Sequence, residues 1–196
     1  VISRQTKKVY RHTASTPYDI GTFSGEYQEF SILSDEGNPV GIAFNNTGSK
    51  MYVSGYNDDG VNEYTLTANW DLDTASYSSG PHLVISGQDA RDFQFNNDGT
   101  KAYYISYGTD NVYEWSLGTA YDTSSNTADP VTFYIGTEDP TPSGLAFKGD
   151  GTKMYITGAS RHEIHGYDLS TPWDISTATF VAEPPDHHYV HGLYIA

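Results

Sequence analysis

The chain has 196 residues, enough for one full-sized domain with its own core, and it has no cysteine, which excludes a disulfide scaffold, thiolate zinc sites and cysteine nucleophiles. Ten Lys and Arg stand against 25 Asp and Glu, and the formal net charge of −15 argues against nucleic acid or an anionic membrane as partner. No apolar run approaches the ~20 residues that span a bilayer, the first residues lack the apolar centre of a signal peptide, and the chain opens on Val1 rather than Met, which fits a processed or excised product.

With 17 Tyr and 19 Gly among many Thr, Ser and Asp, the composition favours strands and tight turns. In chain order, V-Y-R-H-T-A from Val9 reads as a strand, and Pro17-Tyr18-Asp19 as a corner. G-I-A-F from Gly41 alternates as a strand, N-N-T-G marks a hairpin, K-M-Y-V-S from Lys50 is the returning strand, and V-N-E-Y-T-L from Val61 the next. A corner at Trp70-Asp71 and a fourth strand over 82–86 complete the unit. The same order then recurs: D-F-Q-F from Asp92, V-Y-E-W-S-L from Val112, a corner at Tyr121-Asp122 and a strand over 131–135. A further round gives G-L-A-F from Gly144, I-H-G-Y-D-L from Ile164, a corner at Trp173-Asp174 and a strand over 178–182.

The four aromatic-Asp pairs are spaced by 52, 51 and 52 residues. Self-similarity at this period means repeated supersecondary units that bury their apolar faces against one another. The pair itself is therefore read as a structural corner, with Pro17 or Pro172 fixing φ and Asp19 or Asp174 closing a turn on the amides ahead. Four strands, a to d, in about 52 residues make one propeller blade. In register, Val1 falls late in a strand b and Ala196 just after a strand a. The expectation is an all-β, four-bladed β-propeller, a single domain over 1–196 with blade joints near 40, 91, 143 and 191 and a last blade closed by both termini. Ile42, Phe44, Phe93, Phe95, Leu145, Phe147, Leu193 and Ile195 are the expected inner-strand core, each contributing roughly 1.5–3 kcal/mol when fully buried.

The hairpin F-x-x-D-G-T-K-M-Y together with Y-D-L-S-T-P-W-D-I-S-T-A resembles the bacterial β-propeller repeats grouped as YVTN-like or NHL-like, over essentially the whole chain. That resemblance implies a bacterial or phage-associated surface setting, and a family that includes binding and scaffold propellers as well as lactonase-like hydrolases. Fold alone does not choose among them.

What recurs in every blade is structural, and what departs from the repeat is a candidate for function. The hairpins and corners recur and fall on one rim. The opposite rim carries the b-to-c and d-to-a loops, which vary and are acidic, and loops on a rigid scaffold are where binding concentrates. The candidate binding residues there are Tyr56, Asp58, Asp59, Asp89, Arg91, Asp92, Tyr107, Asp110, Asp139, His162 and Tyr189. Arg91-Asp92 stands where other blades open strand a with Gly, and an internal ion pair is the preferred reading over a ligand site. Asp186, His187, His188 and His191 form a candidate metal site, because clustered imidazoles and a carboxylate suit a transition metal. Incidental surface histidines are the preferred alternative. Asn57-Asp58-Asp59-Gly60 suits calcium in its oxygens, although an ordinary turn explains it more simply. The candidate cofactor is thus a divalent cation, calcium or a transition metal.

No G-x-S-x-G elbow, phosphate-cradling Gly loop or dinucleotide fingerprint is present. The leading expectation is therefore a non-enzymatic, extracellular or virion-associated propeller that binds a protein or glycan through its acidic rim, with no nucleic-acid partner and no membrane insertion. The alternatives are a metal-dependent lactonase-type hydrolase with a cation at the channel mouth, and a self-associating building block of a surface assembly.

Overall fold

The structure, a computed structural model, describes residues 1–57, 59–84, 89–160 and 163–182. It is a four-bladed β-propeller built from antiparallel sheets. Blade 1 contains β1 (Ile2–Ser3), β2 (Lys8–Ala14) and β3 (Phe23–Ser31). Blade 2 contains β4 (Pro39–Phe44), β5 (Lys50–Gly55), β6 (Val61–Leu66) and β7 (Ala75–His82). Blade 3 follows with β8 (Ala90–Phe95), β9 (Lys101–Ser106), β10 (Asn111–Ser116) and β11 (Val131–Tyr134), and blade 4 with β12 (Pro142–Phe147), β13 (Lys153–Gly158), β14 (Ile164–Leu169) and β15 (Ala178–Ala182). Strands pair in sequence order in each sheet, so the blades are meanders, and in blades 2, 3 and 4 the first strand lies at the axis. Leu193 and Ile195, expected to supply the inner strand of blade 1, lie outside the described residues.

One strand differs from expectation. The outer strand of blade 2 is β7, over Ala75–His82, rather than 82–86. Its Ser-rich outer face lacks the apolar signal of a buried strand, and Leu83, at φ +56°, turns the chain out of the ladder.

The corners behave as the repeat implied. Tyr18, Trp70, Tyr121 and Trp173 all take positive φ, between 58° and 64°. The Asp that follows each caps a short 3₁₀ turn by accepting the amide two residues ahead, at Gly21, Asp73, Ser124 and Ser176. The ring of the corner seals the hairpin of its own blade. A Cβ on Gly48, Gly99 or Gly151 would fall 2.2–2.4 Å from the ring of Trp70, Tyr121 or Trp173, and these three glycines also hold φ near +72°. Only glycine meets both demands at low cost.

Apolar side chains gather in three seams between successive blades. Phe93 and Phe95 of β8 pack on Tyr52 of β5, and Leu145 and Phe147 of β12 on Tyr103 and Ile105 of β9. Polar latches cross two of these seams in the same way. Lys50 Nζ and Tyr52 Oη donate to the carbonyl of Tyr121 at 3.2 and 2.5 Å, while Glu63 pairs with Lys50 at 2.7 Å and accepts from Thr123 Oγ1 at 3.1 Å. One blade on, Lys101 Nζ and Tyr103 Oη donate to the Trp173 carbonyl at 2.9 and 2.6 Å, and Glu114 pairs with Lys101 and accepts from the Ile175 amide at 2.9 Å. From blade 1 to blade 2, Gln28 substitutes, donating to Asp71 at 2.6 Å and accepting from the Leu72 amide at 3.2 Å. In blade 4 the position of Glu63 and Glu114 is Gly166, which has no side chain to grip a corner. The blade 1 corner accordingly leaves Ile20 79% exposed, whereas its counterparts Leu72, Thr123 and Ile175 are buried.

Candidate functional site at the axial mouth

Strand a is the edge of each sheet, so its outward backbone groups face the axis and need partners there. Each inner strand among the described residues opens with a β-bulge, between Pro39 and Gly41, Ala90 and Asp92, and Pro142 and Gly144. A bulged residue leaves the ladder and its side chain is re-aimed. In blade 3 that residue is Arg91.

Arg91 rises between two aromatic rings of the rim. Its guanidinium carbon lies 4.3 Å from the ring centroid of Tyr56 and 4.3 Å from that of Tyr107, and Arg4 covers Tyr56 at 4.5 Å. Arg4, Tyr56 and Tyr107 occupy the same b-to-c loop position in blades 1, 2 and 3, which is why the four side chains stack in alternation. Each cation–π contact contributes about 0.5–2 kcal/mol. Arg91 Nε is buried with no hydrogen-bond partner among the described residues, and the guanidinium stands within ion-pair reach of Asp89, with Oδ2 at 3.9 Å from Nη2. Arg4 is steered by a long hydrogen bond from Nε to Asn38 Oδ1 at 3.4 Å. Two guanidinia thus mark the mouth of an otherwise strongly acidic molecule.

Arg91 and Asp92 do not form the expected ion pair. Asp92 Oδ2 accepts from the Leu145 amide of the next inner strand at 2.9 Å and Oδ1 from the Phe93 amide at 2.9 Å, while Gln94 Nε2 donates to the Leu145 carbonyl at 2.8 Å. These two departures from the repeat therefore serve the edge of blade 4, and bulge geometry separates Asp92 from its neighbour. Burial outweighs the two amide donors and pushes the Asp92 carboxyl above the ordinary range.

Of the remaining candidates, Tyr56, Asp89, Arg91 and Tyr107 come together at the mouth. Asp59 and Asp110 instead fill one recurring turn position, each at φ +54°, matched in blade 1 by Lys7 at φ +56°. Asp tolerates the left-handed region better than most residues, so a role in the turn explains both. Burial, then the nearby charge of Asp139, raises the Asp110 carboxyl. Asp139 is itself fully buried, packed on Gly158 and accepting the Thr141 amide at 2.7 Å, a role Glu36 repeats in blade 2 with the Asn38 amide at 2.6 Å. Asp58, His162, Tyr189 and the candidate metal residues Asp186, His187, His188 and His191 lie outside the described residues. Arg4 was not singled out from sequence, although its register with Tyr56 and Tyr107 was the available signal.

Among the described residues no three acidic or His side chains gather as a cation site. At the mouth the donor set is cationic, and Asp92 is committed to backbone amides. The described residues at the mouth, Arg4 and Arg91 with Tyr56, Tyr107 and Asp89, do not fit the cation that the lactonase alternative expects there.

No protein-family model and no curated protein matches the chain. Solved structures do. A protein assigned as a 6-phosphogluconolactonase from Bacteroides uniformis matches with a TM-score of 0.60 and 13% identity, covering 94% of this chain and 56% of the other. The periplasmic gluconolactonase of Pseudomonas aeruginosa matches with a TM-score of 0.56 and 16% identity over 88% of this chain and 47% of its own. The nidogen/laminin complex matches with a TM-score of 0.61 and 13% identity over 92% and 60%. The chain thus spans about half the length of these propellers. At such identities the likeness establishes the shared fold.

The neighbours also correct one expectation. Proteins assigned as 6-phosphogluconolactonases from Bacteroides uniformis and Bacteroides fragilis and the gluconolactonase of Pseudomonas aeruginosa stand among them, and the non-enzymatic binding reading is not retained.

Proposed function

We propose that the protein is a lactonase-type hydrolase acting on a sugar lactone at the axial mouth. The repeat hairpins support grouping it with the YVTN-like or NHL-like propellers, and the lactonases among its structural neighbours supply the reaction class. The observation that carries the reading is Arg91, lifted out of the ladder by a bulge, clamped between Tyr56 and Tyr107, and left with a buried Nε that no group among the described residues accepts from.

The chemistry is hydrolysis of a cyclic ester. The Arg91 guanidinium holds the carbonyl oxygen and stabilises the negative charge that develops on it. Asp89, within ion-pair reach, takes a proton from the attacking water as its oxygen bonds to the carbonyl carbon. The ring C–O bond then breaks, the leaving oxygen takes the proton from Asp89, and a hydroxy acid results. Arg4, on the far side of Tyr56, is placed to receive an anionic substituent.

The test is lactone hydrolysis followed by acid release, using gluconolactone and its 6-phosphate. Arg91→Ala and Asp89→Asn are each expected to lower turnover by about 100-fold, the scale for losing one oxyanion donor or one general base. Arg4→Ala is expected to raise KM for the phosphorylated substrate alone. A wild-type rate at the uncatalysed background, or an Arg91→Ala variant with full activity, overturns the proposal.

A further inference from the structure

One set of positions recurs around the mouth, and blade 4 breaks it. The first residue of the b-to-c loop donates its amide to a carbonyl of the d-to-a loop, Tyr56 to Asn38 at 3.2 Å, Tyr107 to Asp89 at 3.1 Å and Ala159 to Thr141 at 3.0 Å. These bonds fix the register, so Ala159 stands where blades 2 and 3 present a tyrosine ring. The bulged residues correspond in the same way: Val40, Arg91 and Ser143. Arg91 fills the space between the ring of Tyr56 and that of Tyr107 in its own blade, and the equivalent space, between Tyr107 and Ala159, falls to Ser143. Small side chains thus replace large ones, and among the described residues a notch is left beside Tyr107, which is 40% exposed. Tyr56, by contrast, carries Arg4 as well as Arg91.

The lining of the notch is hydroxylic and uncharged. Thr141 Oγ1 lies 2.6 Å from Ser160 Oγ, and Ser143 Oγ makes a long hydrogen bond of 3.4 Å to the Thr157 carbonyl. Ala159 and Ser160 are exposed, and Thr141 and Ser143 are half-buried. The carboxylate beneath them, Asp139, is fully buried and turned to the Thr141 amide at 2.7 Å. Each of the three hydroxyls has one proton to give and two lone pairs to receive with, which leaves capacity for a ligand group that also does both. A sugar hydroxyl is such a group. A ligand without hydroxyls would strip water from Ser143 and Ser160 and return no hydrogen bond.

We infer that, given hydrolysis at Arg91, on which this depends, Ser143, Thr141 and Ser160 select the substrate by binding the ring hydroxyls of a polyhydroxylated lactone. Arg91 and Ser143 flank the Tyr107 ring, so a lactone lying over its exposed edge meets the guanidinium with its carbonyl and the notch with its far hydroxyls. Those hydroxyls take no part in bond making, so the notch holds ground state and transition state alike. It therefore lowers KM and leaves kcat as it is. Ser143 supplies the hydrogen bond, and the small side chain of Ala159 supplies the room.

The experiment measures kcat and KM of the whole protein with δ-gluconolactone and with δ-valerolactone, the same ring without hydroxyls. Ser143→Val installs the bulge residue of blade 2. It is expected to raise KM for gluconolactone by about 3- to 10-fold, the scale of one neutral hydrogen bond, with kcat unchanged and valerolactone hydrolysis unaffected. Ala159→Tyr restores the ring of blades 2 and 3 at an exposed position, and is expected to lower kcat/KM for gluconolactone by about tenfold or more while sparing valerolactone. Valerolactone turnover also reports that each variant is folded. A loss shared equally by the two lactones, or gluconolactone kinetics unchanged in both variants, overturns the subsite and leaves hydrolysis at Arg91 standing. Wild-type rates at background for both lactones overturn that hydrolysis and the subsite with it.

Discussion

The latch between blades 3 and 4 supplies a sharp test of what holds neighbouring blades in place. In Glu114→Gln the carboxylate that pairs with Lys101 and receives the Ile175 amide becomes neutral, while the shape of the side chain is kept. Glu114 is 4% exposed, so the pair is largely removed from water, and the ammonium is left with only the Trp173 carbonyl and solvent. Breaking a buried pair costs about 3–5 kcal/mol. Because the Lys101 side chain keeps 26% of its surface, the expectation falls to about 2–4 kcal/mol. In a domain of this size 1 kcal/mol moves Tm by about 2–4 °C, so Tm should fall by about 5–15 °C in thermal unfolding followed by circular dichroism. Lys153→Met is the control. It removes the Lys153–Asp168 pair, whose side chains are 42% and 53% exposed, and should change stability by less than about 1 kcal/mol. Replacing Lys101 and Glu114 together by Met and Leu should restore much of the loss, because no buried charge is then left alone. If Glu114→Gln and Lys153→Met shift Tm equally, the blades are not latched by buried charge and the reasoning fails.

Further expectations follow from the turns and the axis. Gly151→Ala forces a Cβ to 2.3 Å from the Trp173 ring at φ +73°, and should cost roughly 2 kcal/mol or more, whereas Gly149→Ala, with nothing within 4 Å of the added atom, should stay within about 0.5 kcal/mol; urea unfolding of the pair checks this. The Asp92 carboxyl is raised in the folded state by burial, so the folded protein holds its proton at pH values where the unfolded chain has released it. Stability from this group is therefore present at low pH and declines as pH rises from the unfolded Asp value of about 3.9 through the folded one. Against Asp92→Gly, which restores the glycine of blades 2 and 4, wild type should lose relative stability across that window and then level off; a difference that is flat with pH refutes the assignment. At the mouth, Tyr56→Ala should remove one ring from both Arg4 and Arg91 and lower lactonase turnover without a Tm change above about 4 °C, since the ring lies on the rim.

The repeat period alone settled most of the architecture. Spacings of 51 and 52 residues, aromatic-Asp corners and Gly-tipped hairpins are local chemistry repeated in each unit, so the blades, their strand order and the structural role of Trp173-Asp174 could be read from sequence, whereas the positive φ of the corner aromatics was seen only in the structure. The outer strand of blade 2 could not, because Ser and Tyr at a half-exposed edge carry no apolar period. The candidate site divides in the same way. Tyr56, Asp89, Arg91 and Tyr107 are visible as departures from the repeat, but whether Arg91 would turn towards Asp92 or away from it depends on the bulge at Ala90–Asp92, and a bulge is set by pairing with a strand elsewhere in the sheet. Arg4 joins them only because four blades bring one loop position around a common axis. Asp139 and Glu36 look like rim acids in sequence and lie buried against Gly158 and Gly55 in space, since only packing tells an internal acceptor from a solvated charge.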